Sequence, residues 1–157
     1  MELAAKKYLK RNLEYWLKEL NLSDKLEVLF ANSETKGIRP SIEMEKESEE
    51  EITNADNGLI SYDPIDGIKC VLYTTDYQFS FSCLSTLDEE AEKFRSLIID
   101  KIRETGFPVS VDDYSFRMFG DNITRKKIYQ DKRGETSIYK AVFYIKIRAS
   151  IIKNNAC

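Results

Sequence analysis

Residues 137–151 read SIYKAVFYIKIRASI, and this stretch decides the fold. From Tyr139 onward its odd-numbered positions are apolar, whereas most of its even-numbered positions are polar or charged. Successive side chains of a β-strand point to opposite faces of a sheet. The stretch therefore predicts a strand with a hydrophobic core on one face and a cationic row on the other, formed by Lys140, Lys146 and Arg148.

The same alternation recurs over residues 69–84, where it predicts a central, half-buried strand. Apolar residues at three- and four-residue spacing predict two amphipathic helices, one over 2–20 and one over about 87–105. Ser85 or Thr86 is the expected N-cap of the second helix, which a following glycine and proline should end.

Shorter segments complete the predicted sheet. Strands are expected over 26–30 and 41–45. A bent strand over 114–130, interrupted at 120–122, should pair antiparallel with the closing strand through a turn at 131–134. This order predicts a single α+β domain over residues 1–157. Its sheet is expected to be antiparallel or mixed, with about five strands and both helices on its apolar face.

The segment from about 46 to 68 interrupts these patterns. It begins with glutamates, continues with turn-forming Asn, Asp, Gly and Pro residues, and contains few apolar positions. Aperiodic segments of this length are either functional loops or solvated excursions. We therefore expect a long acidic flap over 46–68.

The net charge of -3 conceals two opposite patches. Over residues 41–57, seven acidic residues stand against one lysine, a net charge of -6. Over residues 121–148, eight basic residues stand against three acidic ones, a net charge of +5. Because the total charge is small, it gives no general attraction to nucleic acid or membranes, and the patches are expected to act locally.

Cysteine and histidine usage narrows the chemistry. The three cysteines are far apart in sequence, so they predict neither a disulfide framework nor a zinc site, and a reducing compartment is expected. The chain contains no histidine, which is the commonest general base and metal ligand. No signal peptide or membrane-spanning run is recognisable, so we expect a cytoplasmic origin and no membrane partner.

A metal-dependent nuclease is the enzyme class that the sequence suggests first, through Asp63, Asp66 and Lys69. Such a site needs an acid and a lysine two residues apart on one strand. Asp66 and Lys69 are three apart and flank a glycine, so a turn explains them better. Cys83 lies on the apolar side of its predicted strand, with no histidine to activate it, and is expected in the core. We therefore predict no catalytic, metal-binding or cofactor-binding residue.

Two interaction functions use the charged patches. The basic hairpin over 121–148 could follow a phosphate backbone, with Tyr129 and Tyr144 as stacking partners, although the acidic patch would repel DNA. Alternatively, the flap of one copy could meet the hairpin of the next, a heterologous contact that can close into a ring. The contact residues predicted for this ring are Glu47, Glu49, Glu50 and Glu51 on the flap, and Arg125, Lys126, Lys127, Lys132 and Arg133 on the hairpin.

The order of these elements resembles the tail terminator, or tail completion, proteins of long-tailed bacteriophages. The resemblance covers about residues 3–151 and is one of order and pattern. Its parts are the first helix ending in Tyr15-Trp16-Leu17, the strand over 26–30, the Arg39-Pro40-Ser41-Ile42 entry to a strand, the flap, the strand over 71–84, the helix over 88–104, and the final strands ending in Val142-Phe143-Tyr144-Ile145-Lys146-Ile147.

This resemblance implies a six-membered ring of identical subunits on the finished tail tube. Such a ring stops polymerisation of the tube protein and presents its other face to the head–tail connector or neck. It also implies a lumen through which DNA passes, and a place in the tail or neck of the virion after assembly in the host cytoplasm. Another neck or connector protein is the alternative within assembly.

Overall fold

The fold is α+β with a mixed sheet, in a computed structural model that describes residues 2–30, 40–51, 59–63, 67–110, 115–118, 124–125, 129–133 and 136–154. Side chains are described for residues 2–29, 40–51, 74–110, 130 and 137–150. The elements in these residues are α1 (Glu2–Glu19), β1 (Glu27–Phe30), β2 (Ser41–Glu51), β3 (Leu59–Asp63), β4 (Gly67–Ser85), α2 (Asp88–Thr105), β5 (Ser115–Met118), β6 (Thr124–Arg125), β7 (Tyr129–Arg133) and β8 (Thr136–Asn154).

The strands form a sheet in the order β1-β2-β4-β8-β5. β3 also pairs with β4, and both β6 and β7 pair with β8. β1 and β2 run parallel, whereas the other described pairs are antiparallel. The predictions of an α+β class and a mixed sheet are therefore confirmed, and β2, β4 and β8 lie at the centre of the sheet.

One face of the sheet, which we call the core face, carries the hydrophobic core. The register sets Phe81 between Met44 on β2 and Phe143 on β8, and the Phe81 and Phe143 rings stack with centroids 5.1 Å apart. Full burial of such a side chain contributes roughly 1.5–3 kcal/mol. The buried residues of this face are Ile42, Met44, Tyr77, Phe79, Phe81, Cys83, Ala141, Phe143, Ile145, Ile147 and Ala149.

Both helices contribute an apolar stripe to the same hydrophobic core. α2 contacts β4 and β8, and α1 contacts α2. Gly106 ends α2 as predicted, with a φ of 65° that favours glycine, and its N–H donates to the carbonyl of Ile102 at 2.7 Å.

The start of α2 differs from the prediction, because Leu87 is the N-cap in place of Ser85 or Thr86. Ser85 is the last residue of β4. Its hydroxyl nevertheless accepts a hydrogen bond from the N–H of Leu87 at 3.2 Å and donates one to Glu90 Oε1 at 2.6 Å. The serine therefore supports the helix start from within the strand.

A network of side chains on α1 holds the segment that follows α2. Buried Asn12 donates from Nδ2 to the carbonyl of Val109 at 2.9 Å and accepts from the N–H of Val109 at 3.0 Å. Trp16 Nε1 donates to the carbonyl of Gly106 at 3.0 Å. The ring of Phe107 stacks on Tyr8 and meets Trp16 edge-on. These contacts fix α1 to the end of α2, where the backbone has left the helix and needs hydrogen-bond partners.

The predicted flap over 46–68 contains three strand segments. β2 continues to Glu51, β3 lies within the flap, and β4 begins at Gly67. Glu51 is paired with Thr75 on β4, and Asp63 with Gly67. Residues 52–58 and 64–66 lie outside the described residues. The prediction of a loop is wrong at 46–51, because pairing with β4 overrides the low strand propensity of glutamate.

The final hairpin is antiparallel as predicted, but β7 extends into the predicted turn. Asp131, Lys132 and Arg133 pair with β8, so the prediction of a turn from 131 is wrong at these residues, and residues 134–135 lie outside the described residues. The bent strand predicted over 114–130 is divided into β5, β6 and the start of β7, each paired with a different part of β8. β8 thus organises this whole side of the sheet.

We predict that Asn12→Ala lowers the free energy of unfolding by about 2–4 kcal/mol, because both backbone groups of Val109 lose their partner in a part-buried site. Chemical denaturation checks this value. Leu3→Ala on the same helix is the control, since Leu3 is 80% exposed and its truncation should change stability by less than about 0.5 kcal/mol. An Asn12→Ala protein as stable as the control would contradict the role given to this network.

Candidate functional site

The predicted acidic contact residues lie on the outer part of β2. β1 pairs with β2 only from Ser41 to Met44, and no described strand pairs with the same side of β2 beyond that point. Glu45 and every residue from Glu47 to Glu51 are exposed. We call residues 45–51 the acidic edge. Within the described part of the chain, no strand pairs with the backbone of this edge, so a strand of another molecule could pair there.

A register shift modifies this edge between Lys46 and Ser48. Glu47 has no Cα partner on β4, which is the pattern of a β-bulge. Because the bulge adds one residue, Glu49 and Glu51 lie opposite Tyr77 and Thr75, on the core-face side. Glu50 lies opposite Asp76, on the other face.

Lys46 neutralises part of the acidic edge. Its Nζ forms ion pairs with Glu2 on α1 and with Glu49, the latter at 2.9 Å. The hydrogen bonds to Glu2 and Glu49 raise the pKa of Lys46, and the hydrogen bond from Lys46 lowers the pKa of Glu2. These bonds tie the start of α1 to β2. Among the described side chains, no basic residue forms an ion pair with Glu45, Glu47, Glu50 or Glu51 of the acidic edge.

The second face of the sheet, opposite the core face, contains a cross-strand ion pair that the sequence analysis missed. Arg148 on β8 donates from Nε to Asp76 Oδ1 at 3.0 Å and from Nη2 to Asp76 Oδ2 at 3.3 Å. The two residues are direct partners in the β4–β8 register. Next to them, the hydroxyls of Thr74 and Ser150 are 3.1 Å apart. The alternation of side chains along β8 predicts that Arg148 lies on this face, but its partner on β4 follows only from the register of the two strands.

The cationic row expected on the second face is less uniform than predicted. Val142 lies between Lys140 and Tyr144 and is buried, as are Leu84 on β4 and Leu29 on β1. Lys146 is exposed and lies opposite Gln78. Arg148 is held by Asp76, so Lys146 is the basic side chain of this row that is most open to solvent.

The basic contact residues are distributed over the outer strands. Arg125 lies on β6, and Lys132 and Arg133 lie on β7, whereas Lys126 and Lys127 lie outside the described residues. β6 and β7 pair with β8, while the acidic edge pairs with β4. Two strands therefore separate the acidic and basic sets within one copy, at least about 14 Å across the sheet at the usual strand spacing. Lys132 and Arg133 are also displaced along the strands, because they pair with Ser137 and Thr136 whereas Glu50 is level with Arg148. One chain does not bring the two sets together.

Asp63, Lys69 and Cys83, which the sequence analysis considered for enzymatic chemistry, lie on strands of the sheet. Asp63 and Lys69 belong to the β3–β4 hairpin, and Asp66 lies outside the described residues. In the described part of the chain, no group of three or more Cys, Asp or Glu residues is arranged to hold a metal ion. Cys83 is fully buried, and burial raises the pKa of its thiol to about 12. The thiolate needed for nucleophilic attack is therefore not formed at neutral pH.

Neither a scan of the chain against protein-family models nor a search of curated protein sequences yields a match. None of the helices described in the structure has the length and apolar character required to cross a membrane.

We predict that the free energy of unfolding falls as the pH rises from 9 toward 12. Burial raises the pKa of Cys83 from 9.0 to about 12 and that of Tyr8 from 10.0 to about 12. The unfolded chain therefore releases protons that the folded chain keeps. This costs about 1.4 kcal/mol per pH unit for Cys83 between pH 9 and 12 and for Tyr8 between pH 10 and 12. Their contribution is complete below pH 9. Denaturant titrations at several pH values measure this slope.

Cys83→Ala should make that slope shallower by about 1 kcal/mol per pH unit, whatever its effect at pH 7. Leu3→Ala, at an exposed position, should keep the slope of the unmodified protein. Equal slopes for Cys83→Ala and the unmodified protein would show that the thiol ionises as readily in the folded state as in the unfolded state.

Proposed function

We propose that this protein is a self-assembling structural subunit whose copies join side by side through oppositely charged edges of their sheets. The observation that carries the proposal is the separation of charge across the sheet. The acidic edge is exposed on one side, and the strands that contain Arg117, Arg125, Lys132 and Arg133 follow the other side of β8. We call β5, β6 and β7 together the basic edge.

The distance between these edges favours contact between copies over contact within one copy. At least about 14 Å separates them, and ions screen exposed charges beyond about 8 Å at physiological salt. The two edges of one subunit therefore attract each other weakly. A neighbour that presents its basic edge to the acidic edge brings the same charges within a few ångströms, and this heterologous contact repeats around a ring.

The lengths of the elements also support a role in assembly. β4 and β8 each contain 19 residues, whereas each helix contains 18. Strands of that length extend over about 60 Å, but such helices extend over only about 27 Å. Part of the sheet thus continues past the residues that pack on the helices.

Together with the resemblance of element order, these features favour the tail terminator of a long-tailed phage or a tail-like particle. In this role a hexameric ring would cap the tail tube, end its polymerisation and bind the head–tail connector or neck protein, with DNA passing through the lumen. The helices would support the sheet on one face, and the strands would supply the contacts. A different neck or connector protein would use the same contacts, whereas nucleic-acid binding uses only the basic edge.

We predict that the purified protein forms oligomers that dissociate as the salt concentration rises, because exposed charge pairs are screened. Sedimentation and native mass spectrometry between about 50 mM and 500 mM salt measure this change. Reversing two acidic residues (Glu47→Lys with Glu51→Lys) or two basic ones at nearby levels of the sheet (Arg117→Glu with Arg125→Glu) should weaken assembly. A mixture of the two variants should recover assembly with the variants alternating around the ring, because each reversed edge then meets an edge of opposite charge. The fourfold variant should recover assembly as well.

The matched control reverses Glu14 and Glu92, which are exposed on α1 and α2. This control should assemble like the unmodified protein, because it changes the net charge equally without altering either edge. A monomer under all conditions would contradict the proposal. Salt-sensitive binding of duplex DNA by the monomer would instead favour the nucleic-acid function.

A further inference from the structure

The register places four charged residues in one row across the sheet. Glu50 on β2 is the partner of Asp76 on β4, Asp76 is the partner of Arg148 on β8, and Arg148 is the partner of Arg117 on β5. The row therefore reads acidic, acidic, basic, basic from the acidic edge to the basic edge. Direct partners lie on the same face of a sheet, so all four positions belong to the second face.

The middle of this row is an ion pair within one copy, whereas each end has a residue of like charge as its cross-strand partner. Asp76 and Arg148 form the two-bond ion pair. Glu50, which is exposed, has an acidic partner across the strand, and Arg117 has a basic one. Like charges directly opposite each other on neighbouring strands are destabilising. Each end of the row therefore gains from an opposite charge supplied from outside the chain.

We infer that the outer half of β2 pairs with β5 of a second copy, with Glu50 opposite Arg117 of that copy. In a ring whose axis is parallel to the strands, rotation about that axis relates neighbouring copies. Residues at the same height along the strands, which we call one level, therefore meet. Glu50 and Arg117 occupy one level. The inference rests on the proposed self-assembly and names its contact. In the ring, the row would continue from copy to copy, with two acidic residues followed by two basic residues in each copy.

Strand direction agrees with this contact. β2 and β8 both run antiparallel to β4, and β5 runs antiparallel to β8. β5 of a neighbour related by rotation about the strand axis is therefore antiparallel to β2, which is the more stable pairing. The same rotation directs the second face of every copy in the same way, either toward the ring axis or away from it. The sheets would join into one continuous barrel wall.

A charge swap tests the pair. Glu50→Arg alone and Arg117→Glu alone should each weaken self-association about tenfold or more, whereas the chain that carries both changes should return to within about threefold of the unmodified protein. Glu92→Arg, on the exposed side of α2, is the matched control and should assemble normally. Circular dichroism and thermal unfolding verify that each variant is folded.

The outcomes separate this inference from the function on which it rests. If the unmodified protein assembles but the single changes have no effect, or the double change gives no recovery, the β2–β5 contact is wrong while self-assembly stands. If the unmodified protein remains monomeric at its highest attainable concentration, both are wrong.

Cross-linking gives an independent readout of the geometry. In a background with the native cysteines replaced by alanine, a mixture of Glu50→Cys and Arg117→Cys chains should form a disulfide-linked dimer under mild oxidation. Glu50→Cys chains alone should form little, because a head-to-tail contact does not bring two β2 edges together. A dimer of Glu50→Cys chains without the mixed dimer would overturn the inference in favour of a two-fold contact.

Discussion

The antiparallel pairing of β4 with β8 is the constraint on which the rest of the structure depends. It extends from Lys69 and Asn154 to Ser85 and Tyr139, with one irregularity near Val71. Because strand side chains alternate between faces, a slip of one residue would turn Lys146 toward the core and Phe143 away from it. The same register creates the Asp76–Arg148 ion pair and fixes the level of each outer strand. Core, second face and edges therefore all derive from one ladder.

The helices complete the core without determining the shape of the sheet. Their apolar stripes bury the aromatic and aliphatic residues of β4 and β8, and the Asn12 and Trp16 hydrogen bonds attach α1 to the backbone beyond α2. One face is thereby committed to packing. The chemistry open to other molecules lies on the second face and at the two edges, which is why the charged residues there, and not a pocket or a thiol, define the candidate site.

Much of the fold could be predicted because strong periodicity is a local property. Both helices and the strands around Phe79 and Phe143 have unbroken apolar patterns, and burial in the structure follows them. The outer half of β2 could not be predicted in this way, because its glutamates have neither alternation nor strand propensity and are extended only through their pairing with β4.

The Asp76–Arg148 pair shows the same limit at the candidate site. The residues are 72 positions apart, and sequence parity gives the face of each strand but not the register between the two. Charge clustering predicted Glu50 as a contact residue, whereas its position in a row with Arg148 follows only from two successive registers. The sequence thus grouped the contact residues by their charge along the chain, whereas the strand register groups residues that lie opposite one another across the sheet.

The glutamates of the acidic edge attract basic groups, and they also influence which strand edges can pair with β2. An open strand edge can pair with any other edge through its backbone, and proteins commonly prevent this with charges and bulges. Here the bulge at Glu47 and the exposed glutamates oppose pairing between two acidic edges, since like charges would then face each other along the strand. A basic edge meets no such penalty. Under the proposed function, the same residues that keep two β2 edges apart therefore select the head-to-tail contact, which is the contact a ring requires.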